Sequence, residues 1–189
     1  MEHRSIDPFD LDESLIKAIG KDWMLITAAH PDGRINSMTA SWGGVGHIWE
    51  TPVAFAFIRP QRFTKGFVEA SSTFSLCFFD GSYRKSLNFL GTASGFDDDE
   101  KVAHSGLTAA LHQTQVLQPK PPGGLRVEQT PYLDEARLVL ICERLYQQDM
   151  LEECFLDKSL LKEFYGRVEG QSDLHTLYVA AIRDVLLAD

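Results

Sequence analysis

The segment IRPQRFT carries two arginines three residues apart and a threonine two further on. Arg59 and Arg62 can each offer a bidentate pair of N–H groups to an anion, and Thr64 adds a hydroxyl at what reads as a helix start. Hydrogen bonds of this kind contribute about 1.5–3 kcal/mol each when the partner is charged. Just before the preceding strand lies NSMTASWGG, residues Asn36 to Gly44, unusually rich in small hydroxyl, amide and glycine groups for a strand and its exit. Such a lightly covered backbone can set its N–H and C=O groups against the edge of a flat ring with alternating donors and acceptors. Each segment also has a plainer reading. RxxR is equally a surface turn with two solvated arginines, and NSMTASWGG is equally a twisted edge strand packing Met38 and Trp42 into the core.

Other chemistries lack their residues. The histidines, His3, His30, His47, His104, His112 and His175, form no HxH, HxxxH or HExxH pattern, so no metal site is expected. There is no GxSxG elbow, GxGxxG turn or GxxxxGK[ST] loop. Cys77 sits inside FSLCFF, where a buried thiol is an inert small hydrophobe. His175, Tyr178 and Trp49 read as packing residues that could also line a pocket or an interface.

The chain has 189 residues, 44% hydrophobic and 24% charged, and reads as one domain over 1–189 that needs neither disulfide nor metal to fold. Three cysteines with no CxxC pair indicate reduced thiols and a cytoplasmic setting. A net charge of −9 argues against nucleic acid or an anionic membrane surface as partner. It leaves room for one small phosphorylated ligand. No stretch approaches the roughly 18 apolar residues of a membrane span.

The elements that must position the two segments follow from periodicity and turn residues. A short helix is expected near residues 10–20, capped by Asp10 or Asp12 and stopped by Gly20. Trp23–His30 and Arg34–Ser41 read as a hairpin around PDGR, and WGGVGHIWETP as a long glycine-rich connection. Val53–Ile58 and Thr73–Phe79 read as strands flanking a short helix capped by Thr64. SYRKSLNFL reads as a helix starting at Ser82, and FDDDEKVAHSG as a second short one. Residues 115–131 read as an exposed loop with at most a short strand, and Glu135–Met150 and Leu174–Leu187 as long β-type runs around a short helix in SLLKEFYG. Five to seven strands without regularly interposed helices indicate a mainly β fold, an antiparallel barrel with peripheral short helices. An isoalloxazine pyrimidine ring has the edge that NSMTASWGG could meet, and the phosphate of the same cofactor would reach the arginines.

The run INSMTASWGG…TPVAFAFIRPQRFTKGFVEASSTFSLCFFDGSYRKSLNFLGTASG, followed by DDDEKVAHSGLTA and LHTLYVAAIRDVL, resembles the flavin reductase-like, FMN-binding split-barrel proteins, especially their flavoredoxin-type branch. The resemblance spans roughly residues 20–187 and implies a Greek-key-like split β-barrel that binds FMN near the interface of a homodimer. It places Asn36, Ser37, Met38, Thr39, Ala40, Ser41 and Trp42 along the flavin ring. Arg59, Arg62 and Thr64 match an RPxRxT element that holds the ribityl phosphate, and Ser82, Tyr83 and Lys85 match a segment that completes the site. The chain departs from the branch at Leu90, where cysteine is frequent, and at Phe96, where arginine is common. The implied activity is hydride transfer from NADH or NADPH to the flavin, whose chemistry the cofactor itself carries. Electrons then pass to a second small-molecule or protein acceptor; the alternative is a flavoredoxin-like electron-transfer protein without nicotinamide turnover.

Overall fold

The computed structural model describes residues 1–117, 124–165 and 173–189. Ten strands occur among them: β1 (His3–Ile6), β2 (Met24–Ala29), β3 (Ile35–Ala40), β4 (Gly43–Ile48), β5 (Thr51–Ile58), β6 (Thr73–Phe78), β7 (Ala109–Leu117), β8 (Leu125–Leu133), β9 (Leu138–Asp149) and β10 (Thr176–Ala188). The helices are short: α1 (Leu15–Lys17), α2 (Phe63–Ala70), α3 (Arg84–Thr92), α4 (Lys101–His104) and α5 (Ser159–Phe164). The main sheet runs β3-β2-β6-β9-β10-β5-β4 with β1 added beside β10, and β7 and β8 form a separate hairpin. Every recorded pairing is antiparallel.

Alternation along the strands decides which residues face inward. Met24 and Ile26 of β2, Ala54, Ala56 and Ile58 of β5, Phe74, Leu76 and Phe78 of β6, and Tyr178 and Ala180 of β10 join one core, the inside of a split barrel. The opposite faces of β2, β6 and β9, through Leu25, Cys77, Val139 and Ile141, pack under Leu87 and Leu90 of α3, Val102 of α4 and Leu133 of β8. With both faces covered, all six residues of TFSLCF are buried, the polar Thr73 and Ser75 included.

Four sequence expectations need correction. WGGVGHIWETP is not a long connection. It contains β4, joined to β5 by a two-residue turn in which Trp49 and Glu50 take positive φ values of 53 and 55, as a tight hairpin turn requires. Residues 109–117 and 125–133 are paired strands, not loop; polar alternation on a half-exposed hairpin hid them, and 118–123 lie outside the described residues. The N-terminal helix is broken into a 3-10 turn at Pro8–Asp10, capped by Asp7, then α1 and a π turn at Ala18–Asp22 that contains Gly20 instead of stopping at it. Leu15 and Ile19 pack inward while Ile16 is 90% exposed. Thr64 does not cap α2, whose N-cap position is Arg62 with no side-chain hydrogen bond.

Gly43 has a steric reason. A Cβ there would lie 2.6 Å from the Phe55 carbonyl oxygen and 3.1 Å from the Met24 methyl. Backbone on the paired strand cannot step aside. Gly43→Ala is therefore expected to cost about 1–3 kcal/mol, the usual penalty of overpacking. Gly44→Ala, whose Cβ would meet only the Phe55 ring at 3.9 Å, should cost far less. Urea denaturation of the two variants checks this; equal midpoints would remove the close-approach explanation.

Candidate functional site

A cavity of about 450 Å³ opens where the exit of β3 passes between α3 and the end of β5. That is within the roughly 300–1,000 Å³ typical of cofactor sites. β3 and its exit contribute Met38, Thr39, Ala40, Ser41 and Trp42. α3 contributes Leu87 and Asn88, then Gly91 and Thr92 one turn later, as helical periodicity dictates. Trp23, Phe57, Arg59, Arg62 and His175 complete the lining.

One wall is aromatic. The Trp42 ring lies 4.8 Å from that of His175 and meets Phe164 and Tyr165 edge-on at 5.6 and 6.2 Å. The Tyr165 hydroxyl sits 2.9 Å from His175 Nδ1. Burial, with Arg59 nearby, pushes the His175 imidazole down to about 4, so it is neutral at physiological pH.

The corner by Arg62 is cationic. Nη1 of Arg62 donates to the Gly91 carbonyl at 3.0 Å, the sole hydrogen bond of its guanidinium among the described residues. Lys101, only 2% exposed, donates to the carbonyls of Ala93 at 3.1 Å and Leu90 at 3.5 Å. Two cations thus meet the carbonyl end of α3, where cations are favoured. Neither has a carboxylate within ion-pair distance among the described residues. Burial first, then repulsion from Arg62, lowers the Lys101 ammonium to about 8, opposed by Asp98. Burial and Arg59 likewise lower Arg62. Asn36 Nδ2 is buried without a partner, and a Cβ on Gly95 would sit 2.8 Å from it. Of these groups only Arg62 reaches the cavity wall, and its donor fork, with the Lys101 charge buried behind the same carbonyl end of α3, suits a phosphate. With the aromatic wall beside them, the residues present fit a flavin mononucleotide.

The residues singled out from sequence divide into three groups. Met38, Thr39, Ala40, Ser41, Trp42, Arg59 and Arg62 come together on the cavity wall. Asn36, Ser37 and Thr64 are buried behind it: the Thr64 hydroxyl donates to Asn36 Oδ1 at 2.7 Å, and Ser37 pairs with Thr27 at 2.9 Å across the β2–β3 ladder. Ser82, Tyr83 and Lys85 do not reach the cavity. Ser82 is bound to Asp80, Tyr83 packs at a tilt against Phe79 and Lys85 faces solvent; α3 lines the cavity only from Leu87 onward. Arg59 is on the wall but not free. It pairs with Asp173 at 2.7 Å and donates to the Phe164 carbonyl at 2.6 Å. Sequence reading missed Trp23, Phe57, Leu87, Asn88, Gly91 and Thr92 on the wall, and Lys101 buried behind it. Lys101 follows FDDDE and reads as a solvated residue; only its burial distinguishes it. Tyr178 is wholly buried and donates to Glu69 at 3.0 Å, and Trp49 stands at the β4–β5 turn.

No protein-family model and no curated protein matches the chain. Solved structures do match. The flavoredoxin of Desulfovibrio vulgaris (Miyazaki F) aligns with TM-score 0.61 at 19% identity, over 95% of this chain and 78% of that one. The FMN-binding domain of a flavin reductases-like enzyme from Shewanella baltica OS155 aligns with TM-score 0.59 at 15% identity, over 98% and 77%. The styrene monooxygenase flavin reductase of Pseudomonas putida S12 gives 0.55 at 14%, over 89% and 80%. The mainly β architecture with short peripheral helices is the split-barrel fold of these flavin-binding proteins. Among the described residues, no helix is long and apolar enough to cross a membrane.

Proposed function

We propose that this split-barrel chain binds FMN and acts as a flavin reductase-type oxidoreductase, with NADH or NADPH as electron donor. One observation carries the reading: the aromatic-walled cavity carries Arg62, which has no carboxylate within ion-pair distance among the described residues, with Lys101 buried behind it. The phosphate would be held there, and the lightly covered backbone of Met38–Trp42 would run along the ring. The chemistry a flavin supplies in such a cavity is two-electron transfer from a reduced nicotinamide to a second acceptor. The chain's own part is to bind and orient. Thr39 ties β3 to α3 through the Leu87 carbonyl, and neutral His175 braces Trp42 without adding charge. The structural neighbours described as flavin reductase and flavoredoxin support the reading. A cytoplasmic homodimer suits it too: Val45, Ile48 and Trp49 are exposed along the glycine-rich edge strand β4.

The purified protein should take up FMN stoichiometrically, with the visible flavin bands shifted on binding. Anaerobic mixing with NADH or NADPH should then bleach those bands at catalytic rates. Light scattering on the same sample should give twice the 21.2 kDa of one chain. A colourless protein that fails to take up FMN would overturn the reading. FMN uptake without nicotinamide bleaching would point instead to an electron-transfer protein reduced by a partner.

A further inference from the structure

We propose that Arg84, stacked on Trp23 at the end of the cavity away from Arg62, is a positioning residue that favours the reduced, more negative state of a bound flavin. The proposal rests on the FMN reading above.

The chain enters β2 through the π turn at Ala18–Asp22, a rare form often found at functional positions. It leaves that turn at Trp23 with φ 71 and ψ 161, dihedrals a bulky residue ordinarily avoids. Strain of this kind persists only where surrounding contacts impose it. Arg84 makes such contacts. Its Nη1 donates to the carbonyls of Lys21 at 3.2 Å and Asp22 at 3.1 Å, and its guanidinium carbon lies 3.3 Å from the centroid of the Trp23 ring. The guanidinium covers the indole of a residue that itself lines the cavity.

The placement along α3 gives this stack its meaning. Arg84 is the first residue of α3, and Gly91, which holds Arg62, is near its last. At 1.5 Å per residue the two are about 10 Å apart along the helix axis. A phosphate at Arg62 therefore directs the ring toward the Trp23 end. Arg84 makes no ion pair within 4 Å among the described residues, although the Asp22 carboxylate feels its charge. In the adjoining small cavity Lys17 is bound to Asp22, Arg137 to Glu13, and Asp80 to Ser82. A cation held against an indole acts on a ring across that indole, while solvent at its exposed Lys21 contact screens part of the effect. It favours whichever redox state of a neighbouring ring carries more negative charge, which is the reduced one. A brace that only held Trp23 in place would act on both states alike.

The test is the potential of bound FMN, measured by equilibrium reduction with xanthine and xanthine oxidase against a reference dye. Arg84→Met keeps length and packing but removes charge. It is expected to bind oxidised FMN nearly as well and reduced FMN about tenfold more weakly, a potential lower by about 30 mV for a two-electron couple. Arg84→Lys should restore most of the difference. Should Arg84→Met not fold, Arg84→Gln retains a donor for the Lys21 and Asp22 carbonyls and is read the same way. An unchanged potential in the uncharged variant, whatever its FMN affinity, overturns the proposal and leaves Arg84 a brace. A wild-type protein that takes up no FMN overturns the underlying reading, and this proposal with it.

Discussion

The Arg62→Ala protein is expected to bind FMN about ten to a hundred times more weakly than the unaltered chain, while its hold on riboflavin changes little. The range follows from about 1.5–3 kcal/mol for a hydrogen bond to a charged group, at 1.4 kcal/mol per factor of ten. Arg62 is the right target because it spends one N–H on the Gly91 carbonyl and has no carboxylate among the described residues. The rest of its donor fork is available to an anion. Arg59, equivalent to it in the sequence, differs in the fold. Its guanidinium is held by Asp173 and the Phe164 carbonyl and lies over the Tyr165 ring. Removing Arg59 should loosen the aromatic wall and weaken both ligands. Titration of each variant with FMN and riboflavin checks the distinction; equal losses for both ligands in Arg62→Ala would sink the phosphate assignment.

Acid should destabilise the wild-type chain more than the His175→Gln variant. The folded state holds the His175 imidazole at about 4 against an ordinary value of 6.5, with burial as the first cause and Arg59 the second. Between those values the unfolded chain binds a proton that the folded chain refuses. Stability therefore rises with pH across this window, is complete above it, and is lost on acidification. The full contribution is up to about 3 kcal/mol, at roughly 1.4 kcal/mol for each pH unit that separates the two values. Protonation would also place a cation beside Arg59 and leave Nδ1 able only to donate to the Tyr165 hydroxyl. Urea unfolding of both proteins from pH 4 to 7 measures the effect. Parallel stability curves would show that His175 ionises freely in the folded state.

Much of the fold was legible because its signals are local. VAFAFI, TFSLCFF and the two long C-terminal runs read as strands from composition alone, and the neighbouring elements followed from turn residues. β4 and the β7–β8 hairpin were not legible. Glycine and polar residues lower strand propensity, and only pairing with β5, or of the two hairpin arms with each other, supplies the missing stabilisation. NSMTASWGG shows the same division within one segment. Its small residues read as clearance for a ligand, and Met38 to Trp42 do line the cavity. Asn36 and Ser37, however, are small and polar for internal reasons, to meet Thr64 and Thr27, and Gly43 is bare to clear the Phe55 carbonyl.

By itself the sequence determined the β character of the chain, the order of its main strands, and the two segments that form one end of the cavity. Those properties depend on residues within a few positions of one another, where side-chain period and turn chemistry act. The tertiary structure decided which cation is free. Asp173, 114 residues from Arg59, occupies one arginine, and the folding of α4 against α3 buries Lys101 beside the other. It likewise put Arg84 on Trp23, a contact across 61 residues that no local pattern encodes. Charge and strain depend on which distant groups meet, and that is settled only when the sheet closes.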